Sequence, residues 1–196
     1  GLEATNLWIY PGYDHDENVD RYLKNPSSPP PVIYISFPSL KDPTWETRYP
    51  GKCTIEVIGL AHYEWFTRWE NTEWGHRGEE YEKLKESLAL TLLNGLYRHV
   101  PSVQGKIDHY ELSTPLSTRH FANYLHGEIY GLEHTPARFR ARWLRPETSI
   151  QNLFLAGQDV VTDGVGAAAF SGVLAASAIL KKNVLKDVHK SAIQKP

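Results

Sequence analysis

The chain has 196 residues, 41% of them hydrophobic, 22% charged and 12% aromatic, enough apolar material to bury roughly 70% of the unfolded surface in one ordinary domain. Disorder is excluded as the default state. With 21 Lys and Arg against 23 Asp and Glu the formal charge is -2, so no basic excess exists to neutralise a phosphate backbone, and nucleic acid is not an expected partner.

The chain opens on Gly1-Leu2-Glu3-Ala4 and contains no methionine. That opening lacks the charged stretch and apolar run of a secretory signal. The first segment is aromatic and turn-rich, Trp8-Ile9-Tyr10-Pro11-Gly12-Tyr13, and leads into the acidic cluster Asp14, Asp16, Glu17 and Asp20 around His15. The cluster lacks the central Gly and terminal Glu of an EF-hand, so a solvated loop or a helix start is expected there. Pro26-Ser27-Ser28-Pro29-Pro30-Pro31 then delivers the chain into Val32-Ile33-Tyr34-Ile35-Ser36-Phe37, a β-branched and aromatic run that predicts a strand.

Turn residues around Pro43 and Pro50-Gly51 separate that run from a second strand expected over Cys53 to Leu60, and the two are expected to pair. Cys53 is the single cysteine. Alone it can close no intrachain disulfide, which suits a reducing, cytoplasmic setting, and in its strand it reads as a packed residue rather than a nucleophile. His62-Tyr63-Glu64-Trp65-Phe66-Thr67-Arg68-Trp69 is either an apolar binding wall or an ordinary aromatic core.

From Glu79 to Val100 the period becomes helical, with Tyr81, Leu84, Leu88, Leu92 and Leu96 on one stripe. Pro101 ends it, and Lys106 to Leu112 resumes strand-like texture. Strand, strand, helix, strand describes an α+β layer. The basic run Arg138-Phe139-Arg140-Ala141-Arg142-Trp143-Leu144-Arg145 reads as a charged surface segment leading to Pro146, in preference to a contact with phosphate or an anionic membrane.

The last third differs. Gln151 to Gly157 predicts a short apolar strand, followed by Gln158-Asp159-Val160-Val161-Thr162-Asp163 and an uncharged small-residue helix from Gly164 to Leu180. Its Gly and Ala content gives it little drive to enter lipid, so it reads as a packed helix rather than a membrane span. A strand, a loop and a Gly-opened helix place backbone N–H groups and a positive helix terminus where an electron-rich ligand group is stabilised. Gly164-Val165-Gly166-Ala167-Ala168-Ala169 formally matches the dinucleotide fingerprint. The spacing is wrong, because the glycines do not follow the strand directly and no second strand follows the helix; a polar tail does. Close helix–strand packing is the competing explanation of these small residues. The nine histidines show no zinc-ligand spacing, and Phe170-Ser171-Gly172 is not a hydrolase elbow.

Taken together, Asn152-Leu153-Phe154-Leu155-Ala156-Gly157-Gln158-Asp159, the Gly164-Val165-Gly166 turn and Ser171-Gly172 resemble the carboxyl-terminal flavin segment of the phytoene desaturase and amine oxidase group of flavoproteins. Phe37-Pro38-Ser39-Leu40-Lys41-Asp42-Pro43-Thr44-Trp45, Thr114-Pro115-Leu116-Ser117-Thr118 and Gly127-Glu128-Ile129-Tyr130-Gly131-Leu132 narrow the resemblance to the retinol saturase branch, the all-trans-retinol 13,14-reductase family, whose near relatives include carotenoid isomerases.

The resemblance implies an α+β, mixed-sheet substrate domain over residues 1–145, the closing strand and helix of a Rossmann-like FAD-binding domain over 146–182, and a polar tail over 183–196. Members of this family begin with a βαβ unit that binds the ADP half of FAD, and nothing near Gly1 supplies one. The expectation is therefore an incomplete flavoprotein that binds FAD poorly unless the missing FAD-binding part comes from the same or another chain. Gly157, Gln158, Asp159, Gly164, Val165, Gly166 and Ala167 carry over as cofactor-binding residues. Asp159 is placed on ribityl hydroxyls, and the amides opening the helix face the flavin's pyrimidine edge. The implied reaction is reduction of a carbon–carbon double bond in an apolar isoprenoid, with NAD(P)H a candidate electron donor and peripheral membrane association left open. Desaturation or isomerisation on the same fold is the alternative, as is a non-catalytic module that binds an apolar ligand. His120, Tyr124 and Tyr130 are candidate proton sources, although an isolated His or Tyr in an aromatic-rich protein is more often packed.

Overall fold

The computed structural model describes residues 2–193, without the side chain of Ile193. The chain forms two compact units, Gly1–Gly127 and Glu128–Pro196. This break precedes the functional division at 145/146 implied by the resemblance.

In the first unit β1 (Leu7–Ile9), β2 (Ile33–Ser36) and β3 (Glu56–Gly59) form an antiparallel sheet in the order β1-β2-β3. The expected pairing of the two predicted strands is present, with Ile35 opposite Val57 and Tyr34 opposite Ile58. The aromatic opening, read as turn-rich, adds β1: Leu7 faces Ile35 and the Trp8 ring packs at a tilt against Tyr34, 4.6 Å between ring centroids. Three residues carry too little alternation to announce a strand, and pairing with β2 supplies the rest. Alternation sends Ile33 and Ile35 inward, where they join Phe37, Leu96, Val100 and Val103 in one core cluster.

Asp14 resolves the acidic segment as a helix start. Its carboxylate accepts from the Glu17 N–H at 3.0 Å and caps α1 (His15–Lys24), whose first turn holds Asp16 and Glu17 and whose last turn holds Arg21 and Lys24, matching the helix dipole. After β2, a 3-10 turn at Pro38–Lys41 and the short α2 (Trp45–Arg48) carry the family-like segment. Ser39 is buried there, and its hydroxyl accepts from the Thr54 N–H at 2.9 Å. The strand begins later than expected, so Cys53 lies outside it and is exposed, correcting the packed reading.

Helix α3 (Glu79–His99) follows the predicted stripe and serves two cores. Its second half covers the sheet through Leu92, Leu93 and Leu96. Its first half contributes Tyr81, Leu84 and Leu88 to a cluster with Phe66, Trp69 and Leu116. The dense aromatic segment is thus core: it winds into a 3-10 helix, Tyr63–Trp69, with Phe66 0% exposed. Thr114 and Ser117 form a reciprocal capping box at the start of α4 (Pro115–Ala122), and Thr114 also bonds the Tyr81 hydroxyl at 2.7 Å. The strand expected over Lys106 to Leu112 does not form. Ile107 packs on the core, Asp108 pairs with Lys52 and Tyr110 donates to Glu86 at 2.6 Å, so side chains satisfy the segment without a ladder.

The second unit contains α5 (Pro136–Arg140), α6 (Val165–Leu180) and α7 (Leu185–Ile193). The strand expected over Gln151 to Gly157 reduces to one bridge, Glu147 to Phe154, because Asn152 takes a left-handed φ of 63° and the described residues offer no neighbouring strand. The region read as a polar tail holds α7, opened by a hydrogen bond from the Leu185 N–H to the Asn183 side chain at 3.1 Å. The fold is mixed α and β with a small antiparallel sheet. No helix among the described residues is long and apolar enough to cross a membrane.

Candidate functional site

The residues assigned to a cofactor lie on the loop that runs from Gly157 into α6, and its geometry follows from three anchors. The first is Ser171, on the second turn of α6 and 0% exposed. Its hydroxyl accepts from the Gly157 N–H at 2.5 Å and donates to the Ala168 carbonyl at 2.6 Å. A small hydroxyl residue therefore ties the loop's start to the helix it precedes.

The second anchor is Asp159. Its carboxylate accepts from the Leu132 N–H at 2.7 Å, while the Gln158 side-chain amide donates to the Ile129 carbonyl at 3.2 Å. Both side chains thus hold the 129–132 segment. Gly131 makes the approach possible: it has a φ of 69°, and a Cβ there would stand 2.0 Å from an Asp159 carboxylate oxygen.

Arg138 is the third anchor and a correction. The basic run was read as a charged surface, yet Arg138 is only 9% exposed. Thr135 caps α5 by accepting from the Arg138 N–H at 3.2 Å, which turns the guanidinium inward. It donates to the carbonyls of Leu132 at 2.5 Å, Gln158 at 2.7 Å and Asp159 at 3.2 Å, and lies 3.2 Å from His134 Nε2. The Asp163 N–H also points at that ring nitrogen, at 3.1 Å. The Asp163 carboxylate stands 3.0 Å from the same nitrogen, so whether that nitrogen donates or accepts follows the ring's tautomer.

At the loop's end Gly164 has a φ of 90° and provides no side-chain cap for α6. The first helical bond is from the Ala168 N–H to the Gly164 carbonyl at 3.0 Å. A Cβ added at Gly157, Gly164 or Gly166 would meet nothing within 4 Å, and Val165 is 89% exposed. The terminus is uncapped and open, so close packing does not explain these glycines. Backbone donors at such a terminus can stabilise negative charge on a neighbouring group.

Of the proposed proton sources, Tyr130 lies in the 129–132 segment that Gln158 and Asp159 hold, while His120 and Tyr124 belong to the first unit. His120, on α4, is exposed and stacks on Trp74 at 5.5 Å with planes 10° apart. Tyr124 is half-buried in the first unit, and Tyr130 is 56% exposed in the second. Near His120 the first unit has a denser polar group. Tyr63 donates to Glu70 at 3.0 Å, and Arg119 donates to both Tyr63 and Glu70. The Tyr63 hydroxyl and the Glu70 carboxylate raise the Arg119 pKa above its ordinary value.

Arg138, His134 and the role of Ser171 escaped the sequence reading. Thr135-Pro136 was a legible helix start, but only the fold shows that the side chain two positions later turns inward.

No protein-family model matches the chain, and no solved structure matches it. Curated proteins do. An all-trans-retinol 13,14-reductase of Macaca fascicularis is 34% identical over 194 residues, covering 95% of this chain and 32% of its own length. Its Danio rerio counterpart is 34% identical over 191 residues, covering 94% and 32%. A protein of Danio rerio named inactive all-trans-retinol 13,14-reductase is 32% identical over 190 residues, covering 93% and 31%. The chain is a relative of the all-trans-retinol 13,14-reductases along nearly all of its length, and it spans about a third of the length of the curated relatives it matches.

Proposed function

We propose that this chain is the part of an FAD-dependent oxidoreductase that closes the flavin site and contributes to the pocket for a retinoid or related isoprenoid, whose carbon–carbon double bond is reduced. The observation that carries this reading is the 34% identity to all-trans-retinol 13,14-reductases over 95% of the chain. FAD supplies the hydride transfer when bound. The amides of Val165, Gly166 and Ala167, at the open, uncapped start of α6, would give donors to its pyrimidine edge. Gly157 and Gln158 shape the approach. Asp159 would meet the ribityl hydroxyls while one of its oxygens stays on the Leu132 N–H. NAD(P)H is the electron donor in this reading, and His120, Tyr124 and Tyr130 remain the candidate proton sources.

Surface area supports the view that the rest of the enzyme covers this part. The chain exposes 14029 Å², against roughly 11,000 Å² for two compact bodies of these sizes counted apart. Helix α6 contains no charged residue, yet only Ser171 and Ala175 on it are buried. The second unit of a Rossmann-like domain would present such a surface to the ADP-binding part, supplied by the same or another chain. An apolar substrate and exposed apolar side chains also suit peripheral contact with a membrane.

Titration of the purified chain with riboflavin, which lacks the ADP half, tests the site. Quenching of flavin fluorescence that saturates is expected, with FAD binding no more tightly than riboflavin. Absence of both leaves the second reading, a module for apolar ligands, which the exposed α6 surface favours. Similarity to a protein named inactive makes turnover a separate question. It is answered by product mass with the assembled enzyme, since saturation adds two hydrogens and isomerisation adds none.

A further inference from the structure

We infer that Arg138 is the positioning residue of the flavin loop: its buried guanidinium sets where Gln158 and Asp159 stand by clamping their carbonyls to that of Leu132. The bearing on flavin rests on the reading above; the clamp itself rests on geometry. Arg138 reaches across from α5 to two stretches far apart in sequence, the 132–134 segment and the 158–159 segment, with donor distances of 2.5 to 3.2 Å. Its acceptors include the carbonyls of Leu132, Gln158 and Asp159, so its charge is solvated by main-chain dipoles of the very loop it holds. Its Nε is buried without a hydrogen-bond partner, an unfavourable arrangement that a surface arginine would relieve by turning to water.

The fork geometry is what makes the clamp. A guanidinium presents parallel donors to two carbonyls at once, whereas an ammonium is a point charge on a shorter stem and cannot bridge both segments. With the Gln158 and Asp159 carbonyls fixed, the Asp159 carboxylate meets the Leu132 N–H and the loop is committed to one path toward α6. Without the fork the 157–163 loop leaves the 129–134 segment, and the Leu132 N–H loses its acceptor. Arg138 is a positioning residue: it acts through Asp159.

The test uses the 196-residue chain. Amide hydrogen exchange at Leu132, by NMR, reads the clamp, and riboflavin titration reads its consequence. In Arg138→Lys we expect unchanged helix content by circular dichroism and exchange at Leu132 faster by at least about tenfold, the size of effect that follows loss of a charged hydrogen bond. Riboflavin affinity should fall by a similar factor. Adding Asp159→Asn to Arg138→Lys should weaken riboflavin no further, because the two act as one unit, whereas independent structural effects would multiply. Gly131→Ala, whose Cβ would collide with the Asp159 carboxylate, should release Leu132 while leaving Arg138 intact, and so tests the Asp159 contact by itself; Arg138→Gln, which lacks the fork, should speed exchange as Arg138→Lys does and serves if that variant fails to fold. Unchanged Leu132 exchange in a folded Arg138 variant overturns the clamp, and unchanged exchange in Gly131→Ala or multiplying affinity losses overturn its action through Asp159. A native chain that ignores riboflavin while Leu132 still opens only in the variants keeps the clamp and removes the flavin reading.

Discussion

The two units are stabilised in different ways. The first buries aromatic and branched side chains against a sheet and a long helix, in clusters around Ile35 and Phe66. In the second, the buried apolar residues among those described are Leu144, Val160 and Ala175, and beside them lie Arg138 and Ser171. Its loops are held by polar anchors, while Trp143, Ile150, Ile179 and Leu180 stay exposed. Apolar side chains are exposed on both units, Trp8, Phe121 and Leu125 among them on the first, so the difference lies in what is buried: packed apolar clusters in one, hydrogen-bonded polar anchors in the other.

Mutations break or sharpen this contrast. Phe66→Ala should cost the first unit about 3–5 kcal/mol, the range for emptying a buried phenyl site. In a Trp143→Phe background every remaining tryptophan belongs to the first unit, so urea unfolding followed by tryptophan fluorescence reports that loss cleanly. A shift below about 1 kcal/mol would show that the cluster is not a core.

In the second unit the order should reverse, with a polar truncation outweighing an apolar one. Ser171→Ala strands the Gly157 N–H and should cost about 1–3 kcal/mol, read as the melting of helical circular dichroism. Val165→Ala, at an 89% exposed site, should change stability by less than about 0.5 kcal/mol. Equal effects would erase the contrast. Polar anchors exist in the first unit too, but they supplement its packing: Tyr81→Phe removes the buried hydroxyl bonded to Thr114 and should cost only about 1 kcal/mol by the same urea measurement.

The smallest expected effect is electrostatic. Asp42 accepts from the Thr44 hydroxyl and the Thr44 N–H, both at 2.8 Å, and pairs with Arg48. The Thr44 hydroxyl foremost, then the Thr44 N–H and the Arg48 charge, hold its pKa below the ordinary 3.8. The folded state therefore binds this proton less readily than the unfolded chain does. Its contribution to stability is complete above about pH 4 and is lost as pH falls through the depressed value. Asp42→Asn should flatten that part of the acid limb in thermal melts between pH 2 and 6; an unchanged limb would show that the pair contributes nothing.

Legibility followed the length of the periodic signal. The Tyr81 to Leu96 stripe spans enough turns to identify α3, and the β-branched run before Pro38 identifies β2. The opening glycines of α6 and its neutral run were equally plain. Lys106 to Leu112 and Gln151 to Gly157 looked like strands on local texture alone; among the described residues the first pairs with no strand and the second makes a single bridge, Glu147 to Phe154. Leu7 to Ile9 looked like a turn and found a strand to pair with. Helix α7 was hidden in a polar stretch although Leu185, Val188 and Ala192 keep a helical spacing on it. Cys53 was placed inside a strand that starts three residues later.

The sequence by itself determined the longest helix, the central strand pair, the helix opening at Gly164 and the kinship with retinol reductases, because each is written in neighbouring residues or in long-range identity of residue type. Only the tertiary structure decided that a basic run hides an inward guanidinium, that Asp159 meets the Leu132 amide and that Ser171 ties Gly157 to α6. Hydrogen bonds between segments far apart in the chain leave no period in either segment, since a donor's partner is set by where the backbone brings it and not by the residues beside it.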